Sequence, residues 1–475
     1  MVLAYDGSKS TIATRVIVQL EKKSMKMPLS TKVIAPLLLV VALLLTCGCS
    51  DKQSKPTIVL IGEDSSNLQA MEALKGDFEK EHNVSVKFVR DPFDVALQKA
   101  NQDFASKTGQ YDIVCQYAAS LAPYVNNNYV FTLEDMETFV PSTEVPRTFE
   151  GDFFPGVWRE TGFFHKAGST AVTRVSYPFA ATTMVLVYNK RLFNDPDLKQ
   201  RFQAKFNREL SLPKTWAEYL LLAEFFTDPQ QDRYGVVMEG APGGYLYWEW
   251  CNYAYGMGGG VMKKEAGWEG DANTPITLDS EKSIAATKMF VALKKYNAGD
   301  FFAVGSAEKR EIFLTKNVAM SIMWSDYIPE LLKSPKISEI GFTTIPGDTS
   351  MLGGATFFLN KSSKHPREAT QYILSLMQKN VQVELMTRGL GSPFRSVYAD
   401  EKVKAIPYSE ALRDSLERGV YMIESGPDSQ LIQDTITDRI QAMWRGTVSV
   451  EDGLRSAKQE IESKRKALFQ QVTVK

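Results

Sequence analysis

Little in this 475-residue chain suits redox, metal or nucleotide chemistry, since it holds only four cysteines and three histidines. Cys47 and Cys49 close an N-terminal apolar run, which leaves Cys115 and Cys251 in the body of the chain. Exported chains that depend on disulfides usually carry more cysteines, so two buried thiols are expected. His82, His165 and His365 fall in no metal-ligand spacing, and there is no Gly-x-Ser-x-Gly elbow of a serine hydrolase. A phosphate-binding loop is also missing, which excludes an ATPase. A net charge of -1 gives no bulk attraction to nucleic acid. The apolar run, Val33 to Leu45, has thirteen residues, short of the ~20 that a membrane-spanning helix needs.

What surrounds that run is informative. Lys22, Lys23, Lys26 and Lys32 precede it, and Thr46-Cys47-Gly48-Cys49-Ser50 follows. A basic region, a short apolar core and a small residue before a cysteine read as a secretory signal. The cysteine position resembles a bacterial lipobox, which implies Cys49 as the lipidated first mature residue and Cys47 as the other candidate acceptor. Residues 1–48 are then upstream segment and signal peptide, and 49–56 a lipidated tether. Residues 1–24 carry no signal character, so the true start is expected downstream of Met1.

From Thr57 onward strand and helix patterns alternate. Thr57 to Ile61, Val84 to Val89 and Tyr111 to Cys115 read as strands, and Leu68, Met71, Leu74 and Phe78 recur at helical spacing between the first two. Such alternation implies a mainly parallel sheet with helices on both faces. Gly62-Glu63-Asp64 follows the first strand without the glycine fingerprint of a dinucleotide site. Ligands of these sheets sit at the carboxyl ends of strands. That edge receives Glu63 and Asp64 from the first strand and Gln116, Tyr117 and then Ser120 from the third, groups able to hydrogen-bond hydroxyls. Asp64 would serve equally well as a helix cap.

Aromatics concentrate in Gly243-Gly244-Tyr245-Leu246-Tyr247-Trp248-Glu249-Trp250-Cys251-Asn252-Tyr253-Ala254-Tyr255-Gly256. Rings stack on the apolar faces of sugars while polar neighbours take the hydroxyls, so a carbohydrate site needs this mixture. A helix cannot turn all six rings to one face, and most must pack inside. Leu212-Pro213-Lys214-Thr215-Trp216-Ala217-Glu218 reads as a helix start, with Thr215 and Glu218 spaced as a capping box and Trp216 as core.

Several segments resemble, in order, the extracellular solute-binding proteins, family 1, of ABC importers, the group that includes maltose-binding proteins. They are Ser176-Tyr177-Pro178-Phe179 with the strand through Tyr188-Asn189-Lys190-Arg191-Leu192-Phe193; Pro213-Lys214-Thr215-Trp216; the Ala319-Met320 strand ending at Trp324-Ser325-Asp326; Leu352-Gly353-Gly354 before Ala355 to Leu359; and Gly389 to Arg395. The resemblance implies an α/β fold of the periplasmic-binding-protein-like type II, two α/β lobes with three hinge crossovers. Lobe 1 is expected at 57–181 plus 355–387 and lobe 2 at 183–351 plus 392–475. It further implies ligand contacts at Asp64, Gln116 and Tyr117 in lobe 1, at Thr182, Gly353 and Gly354 in the crossovers, at Tyr245, Trp248, Trp324 and Asp326 in lobe 2, with Tyr327 as a substitute for Trp324, and at Arg395 in the third crossover.

The function so implied is that of a substrate-binding lipoprotein: a non-enzymatic, cofactor-free, metal-free monomer that captures a sugar or oligosaccharide and delivers it to permease subunits driven by a separate ATPase. It would be exported and lipid-anchored to a bacterial membrane, with no nucleic-acid partner. Two other readings stay open, an exported polysaccharide hydrolase or lyase whose carboxylates meet only in three dimensions, and a binding protein for another small solute such as a polyamine or metal ion.

Overall fold

The computed structural model describes residues 55–144, 150–165, 172–242, 244–262, 272–422 and 426–473. Cys49 and the signal region therefore lie outside the described residues. In chain order the strands are β1 (Thr57–Glu63), β2 (Ser85–Asp91), β3 (Ile113–Tyr117), β4 (Phe163–His165), β5 (Val172–Arg174), β6 (Pro178–Ala180), β7 (Met184–Asn189), β8 (Arg233–Val236), β9 (Asn317–Trp324), β10 (Ile340–Thr344), β11 (Ser350–Leu352), β12 (Ala355–Leu359) and β13 (Gly419–Tyr421).

Two main sheets organise the molecule. The first has the order β2-β1-β3-β12-β6, in which β1 runs parallel to β2 and β3 while β12 is antiparallel to β3 and β6. The second has the order β10-β7-β9-β8, with β7 and β9 antiparallel and β8 parallel to β9. One apolar core lies on the first sheet and reaches one face of the second through Val185, Val187 and Met323, and another covers the second sheet's opposite face. Ile58, Leu60, Ile113, Phe357 and Phe358 are buried in one, and Leu186, Trp216, Trp250, Met320 and Ile440 in the other. Strands buried on both faces lack polar alternation, as β12 does: all five residues of ATFFL are buried, and its one polar side chain, Thr356, is hydrogen-bonded.

The chain passes between the sheets from β6 to β7 and back from β11 to β12, and an isolated bridge between Thr183 and Leu352 ties these two passages together. A third passage follows the helix Lys379–Thr387, which packs on the helix Ser66–His82. It ends at the helix Ser409–Glu417, which packs on β10 and β7. Thr356 Oγ1 donates to the Thr161 carbonyl at 2.7 Å, fixing the root of the second passage.

Local rules explain the elements that position the site. The capping box is present: Thr215 Oγ1 accepts from the Glu218 amide at 3.2 Å, and Glu218 accepts from the Thr215 amide at 3.1 Å. The aromatic helix Tyr245–Gly256 starts after Gly244, whose φ of 107° lies where a Cβ is penalised. A Cβ there would also stand 2.8 Å from Trp248. The helices Ser429–Arg445 and Val450–Thr473 close the chain, and Ile432, Ile436, Ile440 and Met443 are all buried. Cys115 and Cys251 are both buried and are not bridged to each other. Among the described residues no helix is long and apolar enough to cross a membrane.

Candidate ligand-binding cleft

The ends of β1, β3 and β9 meet the start of the aromatic helix around a cavity of about 660 Å³. β1 runs two residues further than its apolar pattern suggests, which makes Glu63 its last residue and delivers that carboxylate into the cavity. The Tyr117 hydroxyl, at the end of β3, donates to Glu63 Oε2. From the other lobe the Tyr327 hydroxyl donates to Glu63 Oε1 at 3.1 Å. Burial, and next the charge of Glu63, hold both phenols well above the usual tyrosine range, so they stay donors. Ser66 Oγ adds a second bridge between the lobes, donating to the Asp326 carbonyl at 2.9 Å.

Asp326 follows β9 and is 6% exposed, and its Oδ1 has no hydrogen-bond partner. Burial, and then the charge of Glu63, push its carboxyl up to about 8. Gln116 Oε1, Thr182 Oγ1 and Trp248 Nε1 are likewise buried and unpartnered, and all of these residues line the cavity. A buried polar atom left unpaired costs ~1 to 3 kcal/mol, so four together at one cavity wall point to groups that a ligand satisfies.

The rings form a connected wall. Phe93 of the first lobe stands edge-on to Trp248 at 5.6 Å, Trp248 packs on Tyr245 at 5.7 Å, and Trp324 lies 6.5 Å from Trp248. Gly353 lets Trp324 sit against the crossover, because a Cβ there would approach its ring to 2.6 Å. Gln430, Gln433 and Leu468, on the two closing helices, also line the cavity.

Of the residues singled out by sequence, the cavity brings together Glu63, Gln116, Tyr117, Ser120, Thr182, Tyr245, Trp248, Trp324, Asp326 and Gly353. Asp64, Gly354 and Arg395 lie outside this lining. The Asp64 carboxylate accepts from Arg90 at 2.8 Å on the surface, because it is the residue after β1 and turns away from Glu63. Gly354 faces Thr161, 2.3 Å from where its Cβ would be. Arg395 pairs with Glu417 at 2.9 Å while half exposed, and its backbone amide donates to Asp152 of the first lobe. Tyr327 lines the cavity together with Trp324 rather than in its place. Sequence reasoning missed Phe93, Gln430, Gln433 and Leu468. Gln430 and Gln433 sit on the helix Ser429–Arg445 beside Ile432, Ile436 and Ile440, whose four-residue spacing is the signal the sequence offers for this helix.

Behind the wall lies a second set of charges. Lys309 Nζ contacts Glu249 at 3.0 Å and Glu239 at 3.3 Å, all three at most 1% exposed, and Ser306 Oγ donates to Glu239 at 2.8 Å. Burial works against the Lys309 ammonium, but Glu239 and Glu249 outweigh it and hold it above the usual lysine range. Among the described residues no group of His, Cys, Asp or Glu could hold a metal ion.

The sequence profile described as bacterial extracellular solute-binding protein matches residues 63–375, well over half of the chain. The chain belongs to that family. Among solved structures it is similar to an ABC transporter solute-binding protein of Agrobacterium radiobacter K84 in complex with ribitol, at 22% identity and a TM-score of 0.68 over 86% of this chain and 98% of that one. Another is a solute-binding protein of Thermotoga lettingae TMO bound to α-D-tagatose, at 18% identity and a TM-score of 0.71 over 87% and 100%. Maltose-bound MalE3 of T. maritima matches at 18% identity and 0.68 over 86% and 99%. At these identities the likeness establishes the fold, a two-lobed solute-binding protein. No curated protein sequence matches the chain.

Proposed function

We propose that this solute-binding protein captures a sugar, sugar alcohol or oligosaccharide between its lobes and hands it to the permease of an ABC importer. The observation that carries this reading is the set of buried, unpartnered polar atoms on Asp326, Gln116, Thr182 and Trp248 beside the Tyr245, Trp248 and Trp324 rings. Hydroxyl-rich ligands with apolar ring faces satisfy both halves of such a wall. The polyols and sugars bound by the structural relatives support the same class. A cavity of about 660 Å³ lies within the usual range of small-molecule sites and leaves room for more than one sugar ring.

Glu63 and Asp326 belong to different lobes, so ligand contact with both requires the lobes to be together, and ligand favours the closed form. The proposed lobes are 57–181 plus 355–387 and 183–351 plus 392–475. Cys49 is the proposed lipid acceptor, and tethering at the membrane keeps the receptor near its permease, whose energy comes from a separate ATPase. The protein acts as a monomer without chemistry on its ligand.

A thermal-shift and calorimetric panel of mono- and oligosaccharides tests the ligand class, since a bound ligand raises the melting temperature by mass action. Saturable binding with the sugar recovered unchanged is the expected outcome. Sugar cleavage would favour a hydrolase or lyase, and silence across the panel would overturn the sugar reading. Cys49→Ser is expected to release the protein from the membrane fraction, and loss of lipid labelling only in Cys47→Ser would move the acceptor.

A further inference from the structure

The charges around the cavity are lopsided. Its described lining holds two carboxylates, Glu63 and Asp326, and no lysine, arginine or histidine. The nearby buried ammonium, Lys309, is already committed to Glu239 and Glu249 and is not part of the lining. Arg90 is likewise taken up on the surface by Asp64 and Glu72.

We infer that the cleft selects a sugar bearing a protonated amine, whose ammonium sits between Glu63 and Asp326. The inference rests on the sugar reading above and narrows it. A neutral ligand supplies no counter-charge, so Asp326 stays buried beside Glu63 only by holding a proton, and a buried carboxyl oxygen left unpaired is costly. Hydroxyl donors satisfy part of this demand: Tyr117 and Tyr327 both donate to Glu63. Asp326 Oδ1, in a residue 6% exposed, is left with no donor at all. An ammonium has three N–H donors and a full positive charge, so it can donate to both acids and offset the charge of one of them.

The rings add to this preference. Trp248 and Tyr245 border the same cavity, and a cation held against aromatic faces gains the attraction of their electron-rich surfaces. The same lining disfavours uronic acids and sugar phosphates, which would bring further negative charge to a lining with no cation. With its carboxyl raised by burial and by Glu63, Asp326 holds a proton at neutral pH in the empty cleft. An ammonium arriving between the two acids takes over the neutralising role, and that proton passes to the buffer.

Matched pairs of sugars test the inference. Glucose, galactose, mannose and cellobiose are each titrated at pH 7 against the 2-amino counterpart and the N-acetylated counterpart, the disaccharide amine being β-1,4-linked glucosamine. The expected result is that, for the sugar that fits, the free amine binds about tenfold or more tighter than its hydroxyl and acetylated partners. In buffers of differing ionisation enthalpy its binding also releases protons, which the neutral partners do not do. In Asp326→Asn, and independently in Glu63→Gln should the first variant fail to fold, the ratio of amine to hydroxyl affinity falls toward one. Hydroxyl sugars binding as tightly as their amines, or a ratio that both variants leave unchanged, overturns this inference while leaving the sugar receptor intact. Silence from every member of every pair overturns the sugar reading and this inference with it.

Discussion

Two acid clusters lie close together in this protein and differ in what answers their charge. Glu239 and Glu249 meet the ammonium of Lys309 in a triad sealed from solvent, where Ser306 donates to Glu239 and Tyr253 to Glu249 while Glu239 Oε1 stays unpaired. Glu63 and Asp326 face each other across the lobes with two phenolic donors on Glu63 and no partner on Asp326 Oδ1. The first cluster carries its own counter-charge and can be buried permanently. The second lacks one and borders a cavity, so its satisfaction must come from what enters. A buried acid cluster is thus read by its missing counter-charge rather than by its acids.

The largest effect expected from this contrast is on stability. Lys309→Met leaves Glu239 and Glu249 facing each other without a cation, and breaking a buried ion pair by removing one side costs ~3 to 5 kcal/mol. Urea denaturation should show it as a clearly lower midpoint. An unchanged midpoint would mean that the two clusters are not different in kind.

The second expectation is the part of the pH dependence that Asp326 contributes from the cleft. Asp326 has a folded-state pKa raised from 3.8 to about 8, so between those values the unfolded chain loses a proton that the folded chain keeps. The Asp326 contribution to stability is therefore fully present below about pH 4 and is lost as pH rises through about 8. Denaturation of ligand-free protein at intervals from pH 4 to 9 should show wild type losing stability relative to Asp326→Asn as pH rises. Parallel curves for the two proteins would remove Asp326 from the argument.

Binding effects come next. Trp248→Ala removes a ring face worth ~1 kcal/mol, hence roughly a fivefold loss of affinity for whichever sugar binds, read by calorimetry. Small-angle scattering of wild type should show a smaller radius of gyration with ligand than without, because contact with both lobes holds them together. The smallest effects belong to the surface pairs. Asp64→Ala and Arg395→Ala break exposed ion pairs outside the cavity lining, and each is expected to change stability by less than ~1 kcal/mol and affinity by less than about twofold. A tenfold affinity loss in either would extend the site beyond the cavity described.

Much of the fold was legible because it depends on local rules. Strand and helix alternation from Thr57, the capping box at Thr215 and Glu218, the four-residue spacing of Ile432, Ile436 and Ile440, and the glycines at 353 and 354 each follow from backbone geometry or from the spacing of apolar residues. Segment order carried the family likeness. The prominence of Tyr245 and Trp248 came from that likeness, and the structure buries Tyr247, Trp250 and Tyr253 of the same helix.

What the sequence alone determined, then, is the chain of elements and the residue types delivered to their ends. Only the tertiary structure decided between neighbours: Glu63 over Asp64, Tyr327 beside Trp324, Arg395 on the surface with Glu417 rather than in the cleft. The same holds for the pairing of Glu63 with Tyr327, 264 positions apart, and for the absence of any donor on Asp326 Oδ1. The reason is physical. Periodicity and capping act within a few residues, whereas a pKa, an unpaired acceptor or a missing counter-charge is set by everything that packs around a group, and most of that comes from distant parts of the chain.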